Sequence, residues 1–190
     1  MRTVALLPLA VALAAASGCQ AWTGASVPGL PEQSGTEAGG RAAAIYGAVV
    51  RELVTKDQTY GTGPSRFERV FLIRTAGDPY VGEESVPRPF SPVVADGIQE
   101  DLRDLPPVHL VADPDSVIVE RRLCRGLGVA EGGVLVAVGP IAGARGRAVM
   151  VATFLVSGCL GKNGQWLTYV LEPNDGSWRV VGTKGPIAIG

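Results

Sequence analysis

Apolar residues recur at helical spacing through residues 41–56, with Ile45, Val49 and Leu53 in one i, i+4 row and Tyr46, Val50 and Val54 in the next. Two adjacent rows make a wide apolar stripe, the pattern of a helix laid against a sheet, while Arg51, Glu52, Thr55 and Lys56 fall elsewhere. A second helix is predicted to begin at Ser91 as N-cap, with Pro92 in its first turn. It runs through Val94, Ile98 and Leu102 and stops at Pro106-Pro107, with Asp96, Gln99, Glu100, Arg103 and Asp104 on its solvated side.

Residues 67–74 carry Phe67, Val70, Phe71, Leu72 and Ile73, too short a run and too apolar on both sides for an exposed helix, so a buried strand is expected. Residues 80–89 hold prolines and acidic side chains without a period and read as a loop. After Pro107, strands are predicted at 108–112, 117–121, 134–138, 147–156, 165–172 and 178–183. Turn signals stand between them at Asp113-Pro114, Gly132-Gly133, 143–146 and Asn174-Asp175-Gly176. The last of these joins its strands as a tight antiparallel hairpin. Helix, strand, helix and then a run of strands is an α+β order, not the alternation of a parallel nucleotide-binding sheet. The expected fold class is therefore α+β, two main helices packed on a curved, mostly antiparallel sheet of the cystatin-like roll or cone type.

The amino-terminal pattern is of another kind. Met1-Arg2-Thr3 is followed by an apolar run from Val4 to Ala16 that contains Pro8, then by small residues leading to Cys19. The run is about 13 residues, against about 20 for a spanning helix, so it reads as an export signal over residues 1–18. Ala16-Ser17-Gly18-Cys19 resembles the bacterial lipoprotein box, which implies a diacylglyceryl group on Cys19 and cleavage just before it. Ala16 stands where that box usually has Leu, so ordinary cleavage after a small-x-small triplet, giving a secreted protein, stays open. Residues 19–40 are rich in Gly, Ser, Pro, Thr, Glu and Gln and are expected to form a flexible tether reaching roughly 25 Å. A single globular domain is then expected over 41–190.

Composition narrows the function classes. With 17 Lys plus Arg against 18 Asp plus Glu, the net charge of −1 leaves no broadly basic face for a phosphate backbone, and no nucleic-acid partner is expected. Three cysteines in an exported chain leave an odd thiol unless one is consumed outside a disulfide. A lipid on Cys19 leaves Cys124 and Cys159, each in a Gly-flanked segment at a strand end, and these are expected to pair; two small buried thiols are the alternative.

No catalytic set, metal or cofactor is expected. His109 is the one histidine, predicted on the strand face opposite Val108 and Leu110, and there is no Gly-x-Ser-x-Gly elbow to give it a nucleophile. Asp113-Pro114-Asp115 with Glu120 lacks the spacing of a calcium loop, and the chain cannot assemble four Cys or His ligands for structural zinc. Gly61-Thr62-Gly63-Pro64 and Gly182-Thr183-Lys184-Gly185-Pro186 lack Walker spacing. On the strand 165–172, Trp166, Thr168 and Val170 share one face and Leu167, Tyr169 and Leu171 the other, one set lining the core and the other open to a concavity. Tyr46, Trp166, Tyr169 and Trp178 are the candidate pocket residues.

The segment Gln165-Trp166-Leu167-Thr168-Tyr169-Val170-Leu171-Glu172, with Asp175-Gly176-Ser177-Trp178-Arg179-Val180 and the close from Gly182 to Ile189, resembles a recurring ending in actinobacterial lipoproteins of the Streptomyces type. The stretch from Ile45-Tyr46 to Gly63-Pro64, and Asp104-Leu105-Pro106-Pro107 with Asp113-Pro114-Asp115, are similar to the same group. A bias of 14 Arg to 3 Lys agrees with a GC-rich source. The resemblance implies an extracytoplasmic lipoprotein and assigns no activity.

These readings combine into a lipid-anchored domain on the outer face of the cell membrane, binding a small ligand or an envelope protein without catalysis. The rival is an envelope hydrolase or isomerase with Asp57, Asp113 or Glu120 as a pocket base, and a purely structural partner of another lipoprotein is a third reading. A carboxylate buried in a cavity with a raised pKa would favour the enzyme.

Overall fold

The structure, a computed structural model, describes residues 36–56, 67–77, 86–130, 132–143, 147–160, 164–184 and 188–189. Its first helix, α1 (Thr36–Thr55), buries Ile45, Tyr46, Val49, Val50, Leu53 and Val54, the two rows that the sequence pattern picks out. It starts five residues inside the expected tether, so the boundary at residue 41 is corrected to 36, and the rest of the tether and the export segment lie outside the described residues. The physical reason is packing. Gly39 and Gly40 each cost a helix up to about 1 kcal/mol relative to Ala, but Gly39 lets α1 approach a second helix, α2 (Pro92–Asp101), so closely that a β-carbon there would lie 2.9 Å from Val93 Cγ1.

That contact repeats every fourth residue. A β-carbon at Gly97 would stand 2.6 Å from Ala43 Cβ, and one at Gly47 would stand 2.9 Å from Asp101 Oδ2. Gly39, Ala43 and Gly47 thus meet Val93, Gly97 and Asp101 in the same order, and the two helices run parallel. The negative carboxyl end of α2 at Asp101 then lies against Gly47, about two turns before α1 itself ends at Thr55. Arg51 sits at that end, where its guanidinium donates to the backbone carbonyl of Asp101 and to both carboxylate oxygens of Asp104, at 2.7 and 2.6 Å. Ser91 caps α2 as expected, its hydroxyl oxygen accepting from the Val94 N–H, but the helix ends at Asp101, ahead of the prolines.

Among the described residues, the helices cover one face of a nine-stranded, mostly antiparallel mixed sheet that does not close. Its central strands are β1 (Arg69–Ala76) and a strand designated β6 (Gly133–Val138), which pair in parallel; β1 also pairs in parallel with β3 (Val108–Val111) and antiparallel with the two-residue β2 (Arg88–Pro89). β2 falls in the segment expected to be a loop. Between β3 and β6 come β4 (Ile118–Arg121) and β5 (Gly126–Val129), which pair with each other outside the main sheet. Beyond β6 the chain meanders antiparallel through β8 (Val149–Ser157), β9 (Gly164–Asn174) and β10 (Ser177–Thr183), with β7 (Ala142–Gly143) and β11 (Ala188–Ile189) pairing to β8 and β9. The β9–β10 turn is Asp175-Gly176, both at positive φ (45° and 80°), as a two-residue hairpin loop requires.

Strand alternation sorts the sheet into two cores. Toward the helices point Val70 and Leu72, Val134, Val136 and Val138, Val149, Val151 and Leu155, and Leu167, Tyr169 and Leu171. On the far side Phe71, Ile73, Leu135, Ala137, Phe154 and Val156 form a smaller core closed by Val117 and Val129. β6 is buried at all six positions for this reason, and so reads as an unbroken apolar run.

Replacing Gly97 by Val should lower stability by about 1–3 kcal/mol through overpacking against Ala43, whereas Gly40→Ala, with nothing within 4 Å, should raise it by up to about 1 kcal/mol; urea midpoints of the two variants check both signs. Acid provides a second measurement. The hydrogen bond from Arg51, aided by nearby positive charge, lowers the Asp104 carboxyl from 3.8 to about 2. With the folded value below the unfolded one, the ion pair contributes fully above the unfolded value and is lost as pH falls through the folded one. The difference in urea midpoint between wild type and Asp104→Asn should therefore shrink between pH 4 and 2, and, because the pair is exposed, shrink in salt as well.

Candidate functional site

Two places on the described surface gather polar or apolar groups that the fold does not use. The first is the β4–β5 arm. After β3 the chain crosses the far face of the sheet through a 3₁₀ turn, Pro114–Val117, and Val117 and Ile118 pack into the smaller core. β4 and β5 then form a ribbon joined by a second 3₁₀ turn, Arg122–Cys124, which is closed by Arg125 in the left-handed region at φ 52°. The Cys124 and Cys159 sulfurs lie 2.14 Å apart with Cα atoms 5.2 Å apart, so the pairing expected from the sequence is present. Gly128 bridges Cys159, Val129 N–H donates to the Gly158 carbonyl (2.8 Å) and Leu160 N–H donates to the Leu127 carbonyl (3.1 Å). The arm is thus fastened to the chain just past the last residue of β8.

Large apolar side chains stand out on it. Leu123 at the tip is 89% exposed, Leu127 56% and Val119 40%. Arg122 and Arg125 flank Leu123 and are exposed, while the half-buried Arg121 donates to the Val129 carbonyl at 3.3 Å. Glu120 is exposed on β4, opposite Leu127.

The second place is an open shelf of about 410 Å³ on the free edge of β3, between that strand, α2 and Arg74. Arg74, Asp96, Gln99 and His109 supply its polar groups over a floor of Val108, Leu110 and Ala95. Gln99 Nε2 donates to the Val108 carbonyl at 3.4 Å, partly satisfying the edge. His109 is exposed on the face away from the helices, its ring 5.9 Å from that of Phe71.

The four expected pocket residues do not share a cavity. Tyr46 is buried under the helices, its ring 5.2 Å from Phe90; burial pushes its phenol well above the ordinary range, against a smaller opposing effect of a backbone hydrogen bond with Ile141. Tyr169 is fully buried in the same core. Trp178 is half-buried at the β10 side with the Arg41 guanidinium 5.0 Å above its ring. Trp166 stands on the opposite sheet face, 4.8 Å from the Phe154 ring, because residues 166 and 169 differ by an odd number along one strand. Packing uses all four. Asp113 is exposed and caps the 3₁₀ turn, its Oδ1 accepting from Asp115 N–H at 3.0 Å, while Asp57 lies outside the described residues. Among the described residues no group of three His, Cys, Asp or Glu could hold a metal ion.

β5 and the exposed leucines went unassigned in the sequence reading. The alternation that would reveal β5 is interrupted by Gly126 and Gly128, and the pairing of Cys124 with Cys159 is the sequence feature that could have located the arm. Compared with protein-family models, curated proteins and solved structures, the chain has no significant match.

Removing the bridge with Cys124→Ser should cost up to about 4 kcal/mol in the chain-entropy treatment for a sequence separation of 35 residues. It should also raise proteolytic nicking within 118–129 before the main sheet unfolds. Mass spectrometry after alkylation, with and without reduction, checks the bond, and timed proteolysis checks the arm.

Proposed function

We propose that the chain is a lipid-anchored extracytoplasmic lipoprotein, similar to the actinobacterial group named above, whose domain acts by binding and not by catalysis. One observation carries the anchoring part: Cys124 and Cys159 are at bonding distance, which leaves Cys19, directly after the small residues that end the apolar run, as the remaining cysteine. A disulfide suits an oxidising compartment. No helix among the described residues is long and apolar enough to cross a membrane, so attachment by the acyl chains fits the domain.

Binding is favoured by what the surface offers. Exposed leucines on a disulfide-fastened arm cost solubility and add nothing to either core, which is the mark of a surface kept for contact. On the enzyme side, the exposed Asp113 is occupied in capping a turn and the exposed Glu120 lies on the arm, and neither lines the β3 shelf.

Growth of the producing cell with a labelled fatty acid should tag the wild-type protein, and Cys19→Ser should abolish the tag and move the protein from the membrane fraction to the medium. A soluble, untagged wild type would refute the anchor.

A further inference from the structure

We infer that the arm tip is a membrane-contact element that inserts Leu123 and Leu127 into the headgroup boundary of an anionic lipid surface. This deepens the binding reading above and does not require the acyl anchor.

The tip sequence, Arg121-Arg122-Leu123-Cys124-Arg125-Gly126-Leu127, concentrates three of the chain's 14 arginines in a protein whose net charge is −1. Glu120 is the acidic residue next to them in the chain. Arg122 and Arg125 are exposed on either side of Leu123, and long basic side chains of this kind keep their stems along an apolar phase while their heads meet phosphates. Leu123 between two exposed arginines, with Leu127 behind it beside Glu120, therefore matches a surface that is apolar just below and anionic at its boundary.

Shape decides between a membrane and a protein partner. A stable protein interface buries roughly 800 Å² on each side, which two leucines and two arginines on a narrow turn cannot supply. A lipid surface imposes no such requirement, since it deforms around a small wedge. The bond to Cys159 and the hydrogen bonds of Val129 and Leu160 hold the wedge in one conformation before contact, so little ordering entropy is lost on docking.

The chain can reach. α1 begins beside the start of α2, which follows the strand paired with the last residues of β1, whereas the tip leaves from the opposite end of the sheet. The residues between Cys19 and α1 extend to about 55 Å when stretched, more than the roughly 36 Å length of β9, so an anchored chain can turn its tip to the same membrane.

The test uses residues 19–190 carrying Cys19→Ser, which contain every element of both cores and no acyl group, with the disulfide formed. Sedimentation is compared with phosphatidylcholine vesicles and with vesicles that also contain phosphatidylglycerol. Binding is expected to the anionic vesicles and to weaken with salt. Leu123→Asp with Leu127→Asp should reduce it about ten-fold or more. Arg122→Gln with Arg125→Gln should reduce it several-fold. Val181→Asp, at an exposed valine on β10, should leave it unchanged. All of these are surface positions, and near-ultraviolet circular dichroism verifies the fold of each variant. Absence of binding to anionic vesicles, or equal binding by the wild type and the double-leucine variant, overturns the inference. Failure of the fatty-acid label with vesicle binding intact would refute the anchor alone.

Discussion

The contact between α1 and α2 sets the terms for the rest of the fold. Gly39, Ala43 and Gly47 on one helix meet Val93, Gly97 and Asp101 on the other at distances that leave no room for larger side chains. The approach lets two parallel helices act as one layer. α2 is also the crossover between β1 and β3, so its position fixes which strands run in parallel at that end of the sheet. The negative carboxyl end of α2 is met by a single side chain, Arg51, bound to the last carbonyl of that helix and to Asp104.

On the other face the sheet is closed differently. No helix lies there among the described residues; a 3₁₀ turn and the β4–β5 ribbon cover Phe71, Leu135 and Phe154 instead. A two-stranded ribbon is marginal by itself. The disulfide to Cys159 and the backbone bonds to Gly158 and from Leu160 supply what the ribbon lacks. The same arrangement that seals the smaller core leaves the turn of the ribbon exposed, and that turn carries Arg122, Leu123 and Arg125.

The helix-covered core is tightly packed and takes in Tyr46 and Tyr169 as packing residues, with Trp178 against its rim. Polar groups on the β3 shelf are spread over an open edge and lack an enclosing wall.

Local patterns determined much of this protein. The paired apolar rows of α1, the Ser91 cap with Pro92, the all-apolar β6 and the Asp175-Gly176 hairpin follow from spacing and turn chemistry, and these signals need no distant partner. The odd number of cysteines is legible for the same reason. What tertiary structure alone decided is every feature in which a residue's role depends on what packs against it. Gly39 belongs to a helix and not a tether because Val93 is there to meet it. Trp166 and Tyr169 lie in separate cores because the sheet is covered on both faces. Leu123 is left exposed because Cys124 is bonded to a strand end 35 residues away, a long-range constraint that no local spacing of apolar residues encodes.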